Sequence, residues 1–143
     1  MSKNNERACF AGGCFWGVQH LFTKIRGVLR VEAGYAGGHL ESPTYQDICR
    51  GDTGHAEVVR IHYDSTQISY EALLNYFFRM HDPTQLNRQG ADVGSQYRSA
   101  IFYYTDEQRS QALSFIERFN KRKVFPNPAV TELVPMGKFY LAE

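Results

Sequence analysis

Residues 7–36 read RACFAGGCFWGVQHLFTKIRGVLRVEAGYA. Residues 7–11 are short and strand-like. The Gly12-Gly13 pair then breaks the strand and permits a sharp turn, because glycine reaches backbone angles closed to other residues. From Cys14 to about Arg26 the apolar residues Phe15, Val18, Leu21, Phe22 and Ile25 recur at helical spacing. Gly27 ends that helix. Residues 28–36 then alternate, which puts Leu29, Val31, Ala33 and Tyr35 on one face. Strand, turn, helix and strand in immediate succession begin a sheet with a helix laid across it.

Outward from this stretch, residues 37–54 (GGHLESPTYQDICRGDTG) form a polar loop punctuated by Gly, Pro and Ser. HAEVVRIHY at 55–63 is a second alternating strand. Ser69 can cap the next helix, which runs to about His81, where Asp82-Pro83 stops it. Residues 84–97 form another long polar loop, and 98–104 are β-like. Thr105 with Gln108 predicts a capping box for a helix to about Lys123, with Ala112, Ile116 and Phe119 facing the core. Residues 130–134 read as a last strand. This order predicts an α+β fold: a mixed β-sheet packed with helices, a ferredoxin-like two-layer sandwich. The 143 residues suit one catalytic domain over 1–143.

Composition removes several functions. The net charge is +1 with both signs spread along the chain, so no basic stripe suggests nucleic acid. No apolar run approaches the ~20 residues of a membrane span. The first residues lack the apolar core of a signal peptide. Cys9, Cys14 and Cys49 are odd in number and form no CxxC, so a disulfide framework is not expected. The expected compartment is the cytoplasm and the expected state a monomer. The histidines show no HExxH spacing, and no metal or organic cofactor is expected.

Cys14 lies where a strand turns into a helix. Free amides and the positive helix end would favour a thiolate, the nucleophilic form. Yet a helical wheel puts Cys14 on the core side if it is already helical, so packing and chemistry both stay open. Trp16 falls off the apolar stripe, as a pocket wall would. Glu57 shares a strand face with Val59, Ile61 and Tyr63, where ionisation is costly and a raised pKa would make it a proton donor. Tyr45, Tyr97 and Asp92 lie in or beside the long loops. His55 is the natural partner if Cys14 belongs to a Cys–His hydrolase.

GGCFWG at 12–17 resembles the active-site signature of the A-type peptide methionine sulfoxide reductases. The resemblance continues through GYAGG (34–38), PTYQDIC (43–49), GDTGHAEVV (51–59), HDPTQLNRQGADVGSQYRSAIF (81–102) and FYLAE (139–143), in order. It implies an enzyme that reduces the S-epimer of methionine sulfoxide, free or in oxidised proteins, a repair of oxidative damage. Cys14 would attack the sulfoxide sulfur and be left as a sulfenic acid. Phe15 and Trp16 would hold the S-methyl group, and Glu57 would protonate the oxygen. Tyr45 and Tyr97 would hydrogen-bond that oxygen, and Asp92 would help hold the substrate.

Family members commonly resolve the sulfenic acid with cysteines near the C-terminus. None follows Cys49 here, so a domain shortened at that end is expected. The expected routes are attack by an external thiol (thioredoxin, glutaredoxin or a small thiol) and, second, resolution by Cys49. Cys9 is expected to be a buried strand cysteine.

Overall fold

A computed structural model describes residues 5–142; the first four residues, used above to argue against a leader, and Glu143 of FYLAE lie outside the described residues. Strand β1 (Asn5–Gly12) runs into the Gly-Gly turn, and α1 (Phe15–Phe22) starts just after it. Then come β2 (Val28–Ala36), α2 (Tyr45–Arg50), β3 (Ala56–Asp64) and α3 (Tyr70–Met80). The chain continues through β4 (Arg88–Gln89), β5 (Asp92–Val93), β6 (Ser99–Tyr103), α4 (Asp106–Arg122), β7 (Glu132–Pro135) and β8 (Phe139–Leu141). One sheet has the order β7-β6-β1-β3-β2-β8, and β4 and β5 form a small hairpin. Within it β6, β1, β3 and β2 are antiparallel neighbours in the ferredoxin-like order, with α1 and α3 as the crossover helices. Parallel β7 and antiparallel β8 extend the edges and make the sheet mixed, so the expected α+β architecture stands.

The alternation of β1 and β3 builds the core. Ala8, Phe10, Val59, Ile61 and Tyr63 pack with Phe15, Val18 and Phe22 of α1 and Leu73, Leu74 and Phe77 of α3. Phe10 stacks on Phe77 with ring centroids 4.7 Å apart. Each such side chain stabilises the fold by roughly 1.5–3 kcal/mol through burial. The intervening residues Cys9, Ala11, Val58, Ala100 and Phe102 form a second cluster on the other face.

Several expectations need correction. The first helix ends at Phe22 rather than near Arg26. Beyond it the bonds tighten to i→i−3, from Lys24 N–H to Leu21 O (3.3 Å) and Ile25 N–H to Phe22 O (3.1 Å), while Ile25 still packs on the core. Leu29 is 53% exposed, because a bulge between Val28 and Arg30 breaks the alternation that was to carry it inward. The first polar loop contains α2, capped reciprocally by Thr44 and Asp47. The second contains the β4–β5 hairpin and a 3-10 turn at Ser95–Tyr97. The predicted box at α4 is only half made. Thr105 accepts from Gln108 N–H (3.1 Å), but the Gln108 side chain accepts from Tyr104 N–H (2.9 Å) and donates to Arg7 O (2.7 Å). Ile116 is half-buried where Ala112 and Phe119 are buried. Among the described residues, no helix is long and apolar enough to cross a membrane.

Candidate active site

Gly12 and Gly13 serve the turn for different reasons. A Cβ on Gly12 would lie 2.7 Å from Phe77 Cε1 and 3.1 Å from His81 Cγ, so the end of β1 lies flush against the end of α3. Gly13 has φ +95°, a conformation other residues adopt only with strain, and its Cβ would meet Gln89 Cγ at 2.8 Å. Gln89 is itself fixed: its Oε1 accepts from Asp82 N–H (2.8 Å) and its Nε2 donates to Asp82 O (2.9 Å). The turn is thereby clamped between α3 and the following loop.

Cys14 emerges from this clamp as the exposed N-cap of α1, in extended conformation. That excludes the core-facing alternative. Its sulfur takes no capping hydrogen bond. Instead the Phe15 N–H donates to Glu57 Oε1 at 3.2 Å. Glu57 lies where strand parity put it, on the helix side of β3, and is 2% exposed. Burial pushes its carboxyl up to about 7; the Phe15 N–H partly opposes this, and the negative charge of Asp92 adds to it. A carboxyl that holds its proton up to about pH 7 therefore lies beneath the backbone next to the thiol.

The two phenols approach from the loops. Tyr45 opens α2 and is 50% exposed. Its pKa is raised, first by its hydrogen bond with Cys49 and by that thiol's charge, then by burial, Glu57 and Cys14. Tyr97 closes the 3-10 turn, and Arg98 pins that turn. Its guanidinium donates to Ser95 O (2.9 Å), Gly54 O (3.0 Å) and Glu132 Oε1 (3.1 Å). Burial, then Glu57, Asp92, Tyr45 and Cys49, push the Tyr97 phenol up to about 12. Both phenols thus keep their protons at neutral pH and can donate. Tyr45 thus lies near Cys49, Glu57 and Cys14, and Tyr97 near Glu57, Asp92, Tyr45 and Cys49. Asp92 sits exposed on the β4–β5 hairpin.

The apolar side is aromatic. Phe15 is buried, its ring 4.6 Å from that of Trp16 and 5.5 Å from that of Tyr35. Trp16 is 48% exposed and, with Tyr35, Pro43, Tyr45 and Leu141, walls a cleft of about 60 Å³. A larger groove of about 310 Å³ lies between α3 and α4, but no cysteine or carboxylate lines it. Sequence reasoning passed over Tyr35, Pro43, Leu141, Gln89 and Arg98. Tyr35 had a usable signal, its place on the buried face of β2. Gln89 and Arg98 act through hydrogen bonds to other elements, and Pro43 and Leu141 reach the cleft only through the fold.

His55 does not serve as a base for Cys14. Its Nδ1 accepts from Gly38 N–H (3.0 Å) and its Nε2 donates to Leu40 O (2.6 Å), so both ring nitrogens hold the loop in place. The Cys–His hydrolase reading has no free imidazole there. Cys9 is fully buried, and burial pushes its thiol up. Among the described residues, no three His, Cys, Asp or Glu side chains are grouped to hold a metal ion.

The sequence profile described as peptide methionine sulfoxide reductase matches residues 6–143. The chain belongs to this family. Peptide methionine sulfoxide reductase MsrA of Methanosarcina acetivorans is 53% identical over 138 residues, covering 96% of this chain and 73% of its own length. The MsrA of Acidobacterium capsulatum is 53% identical over 137 residues, covering 96% and 88%. In structure, methionine sulfoxide reductase A of Corynebacterium diphtheriae superposes with TM-score 0.93 at 35% identity, over 99% of this chain and 72% of that one. Reduced Mxr1 of Saccharomyces cerevisiae gives 0.92 at 34% identity, over 100% and 82%. The yeast protein is also known in complex with Trx2. This reductase is accordingly an oxidoreductase acting on methionine sulfoxide.

Proposed function

We propose that the reductase acts on the S-epimer of methionine sulfoxide, free or in peptides, with Cys14 as nucleophile and Glu57 as acid. The observation that carries this reading is the buried Glu57 carboxyl under the Phe15 amide, immediately beside the exposed Cys14. A sulfoxide oxygen leaves poorly as an anion, so attack on sulfur requires a proton at that oxygen. The Cys14 thiolate forms an S–S bond to the substrate sulfur while the Glu57 proton passes to the oxygen. Tyr45 and Tyr97 donate hydrogen bonds to the same oxygen as negative charge develops. The hydroxyl then moves to the Cys14 sulfur, the S–S bond breaks, and methionine leaves. Two electrons have gone from Cys14 to the substrate, and Cys14 remains as a sulfenic acid. Trp16, with Phe15 behind it, offers the S-methyl group an apolar wall. Asp92 helps hold the substrate and the proton on Glu57.

The recycling electrons come from external thiols: a thioredoxin- or glutaredoxin-type dithiol, or a small thiol. The yeast relative's complex with Trx2 supports a thioredoxin-type donor. We place the enzyme as a monomer in a reducing cytoplasm, where free Cys14 and Cys49 are stable. The test is direct: supply purified S- and R-sulfoxides with dithiothreitol. The reading predicts turnover of S alone and its loss in Cys14→Ser; S-turnover by Cys14→Ser at the wild-type rate contradicts it.

A further inference from the structure

The sheet has a second face, turned away from the helices, and it carries a separate cluster of charges. Strand register puts Arg7 of β1 opposite His62 of β3, and Cys9 opposite Arg60. Arg7 and Arg60 are therefore diagonal neighbours on one face, with backbones roughly 7–8 Å apart. Together with Tyr104, Met136, Gly137 and Phe139 they line a cavity of about 310 Å³, and no acidic side chain belongs to that lining. We propose that this cavity binds a phosphate group, free or carried by a small organic molecule, between the two guanidiniums.

Each guanidinium is held in place while most of its donors stay open. Arg7 stacks over the Tyr104 ring at 4.7 Å, and Arg60 over the Phe139 ring at 4.0 Å. Stacking fixes the plane of a guanidinium and leaves its N–H edge for hydrogen bonds. Arg60 donates its Nε–H to Glu32 Oε1 (2.8 Å). Among the described residues its terminal amino groups donate no hydrogen bond, and the Arg7 guanidinium makes neither hydrogen bond nor ion pair. Glu32 does not neutralise the cluster. Its carboxylate is also bonded to His62 Nε2 (2.7 Å) and paired with Arg30 (3.6 Å), so one negative charge is shared three ways. Two guanidinium edges on one cavity suit an oxyanion with oxygens on more than one side, which a phosphate offers, whereas a carboxylate fills a single fork. The cavity exceeds a bare phosphate ion, which leaves room for a short organic substituent.

The site is separate from the reaction centre. Glu57 and Arg60 are three residues apart on β3, so they project to opposite faces of the sheet. Met136, Gly137 and Phe139 belong to the segment that leads from β7 into β8, and Met136 and Phe139 pack on the second apolar cluster. A bound phosphate joins that segment to β1 and β3. Occupancy should therefore stabilise the folded chain and leave the thiol chemistry unchanged.

The experiment is isothermal titration calorimetry of the purified reductase with inorganic phosphate and, in a second arm, with glycerol 3-phosphate. Sodium chloride matches the ionic strength throughout. The expected result is saturable binding, weakened about tenfold or more in Arg7→Gln and in Arg60→Gln, as the loss of a charge-assisted fork requires. Arg7→Lys keeps the charge but loses the fork, and its affinity should fall between those of the wild type and Arg7→Gln. Methionine formation driven by dithiothreitol should match the wild type in Arg7→Gln, which shows that this variant is folded. Tighter binding of glycerol 3-phosphate assigns the site to a phosphomonoester; equal or weaker binding assigns it to the free ion. No saturable heat in either arm, or equal affinity in the wild type and both glutamine variants, overturns the proposal.

Discussion

Cys14 and Glu57 stand on a glycine turn and a central strand gripped by α1, α3 and Gln89, whereas Tyr45 and Cys49 stand on a six-residue helix with Ile48 as its buried anchor. The first pair meets through a backbone amide at 3.2 Å and is fixed before substrate arrives. The second pair is exposed, on a helix that buries one side chain. The comparison teaches where each task sits. Proton delivery needs a preorganised group in a dry place. Substrate entry needs an open wall, and the α2 side of the cleft is the exposed one.

The sharpest break in the fixed half is Glu57→Gln. It should slow the sulfoxide-reducing step about 10²–10³-fold, the usual worth of a positioned acid, in single-turnover assays at pH 7. The same change should stabilise the fold. The raised pKa means that the folded carboxyl keeps a proton which the unfolded chain releases above its model value of 4.5. Glu57 therefore costs nothing below that value and costs most once pH passes about 7. Urea midpoints should favour the Gln variant by on the order of 1–3 kcal/mol at pH 8 and converge with the wild type near pH 4.

His81 tests the same half from behind the Gly-Gly turn. It is buried against Phe77, its Nδ1 donating to Phe77 O (2.7 Å) and its Nε2 accepting from Ser99 Oγ (2.8 Å). Burial lowers its pKa from 6.5 to about 4. The unfolded chain then takes up a proton that the folded state refuses. Stability should be complete above pH 6.5 and fall by about 3 kcal/mol as the pH drops towards 4, a loss that denaturant titration measures. Gly12→Ala should cost roughly 1–3 kcal/mol, because the new methyl meets Phe77 and His81. The loose half should show itself in hydrogen exchange. Amides of α2 should exchange at least tenfold faster than those of α3, and equal protection would remove the contrast.

The fixed half was also the legible one. Strand parity alone placed Glu57 on the buried face, and two glycines before Cys14 announced the turn. Both signals are local, and both concern elements whose apolar periodicity the core enforces. The loose half left weaker traces. Thr44 and Asp47 cap α2, but six residues with one buried Ile48 show no periodicity to find. The β4–β5 hairpin is tied to the end of α3 by Gln89 bonding Asp82, a side-chain contact that no periodicity marks, and Arg98 beside Tyr97 reaches Gly54, 44 residues away. Leu29 failed for a different reason: a bulge between Val28 and Arg30 takes it off the face that Val31, Ala33 and Tyr35 keep, and nothing in VLRVEAG marks it. β8 is three residues long, and its pairing with β2 defines it more than its composition does.

The central claim is that the buried Glu57 delivers the proton to the sulfoxide oxygen. The most direct measurement is the pH dependence of methionine formation in a single turnover, with wild type and Glu57→Gln compared from pH 5.5 to pH 9. The account predicts a wild-type rate that falls tenfold per unit on the alkaline side of about pH 7, as the acid ionises, and a Gln variant that lacks this limb. A wild-type rate without that decline, or the same decline in the Gln variant, would contradict it.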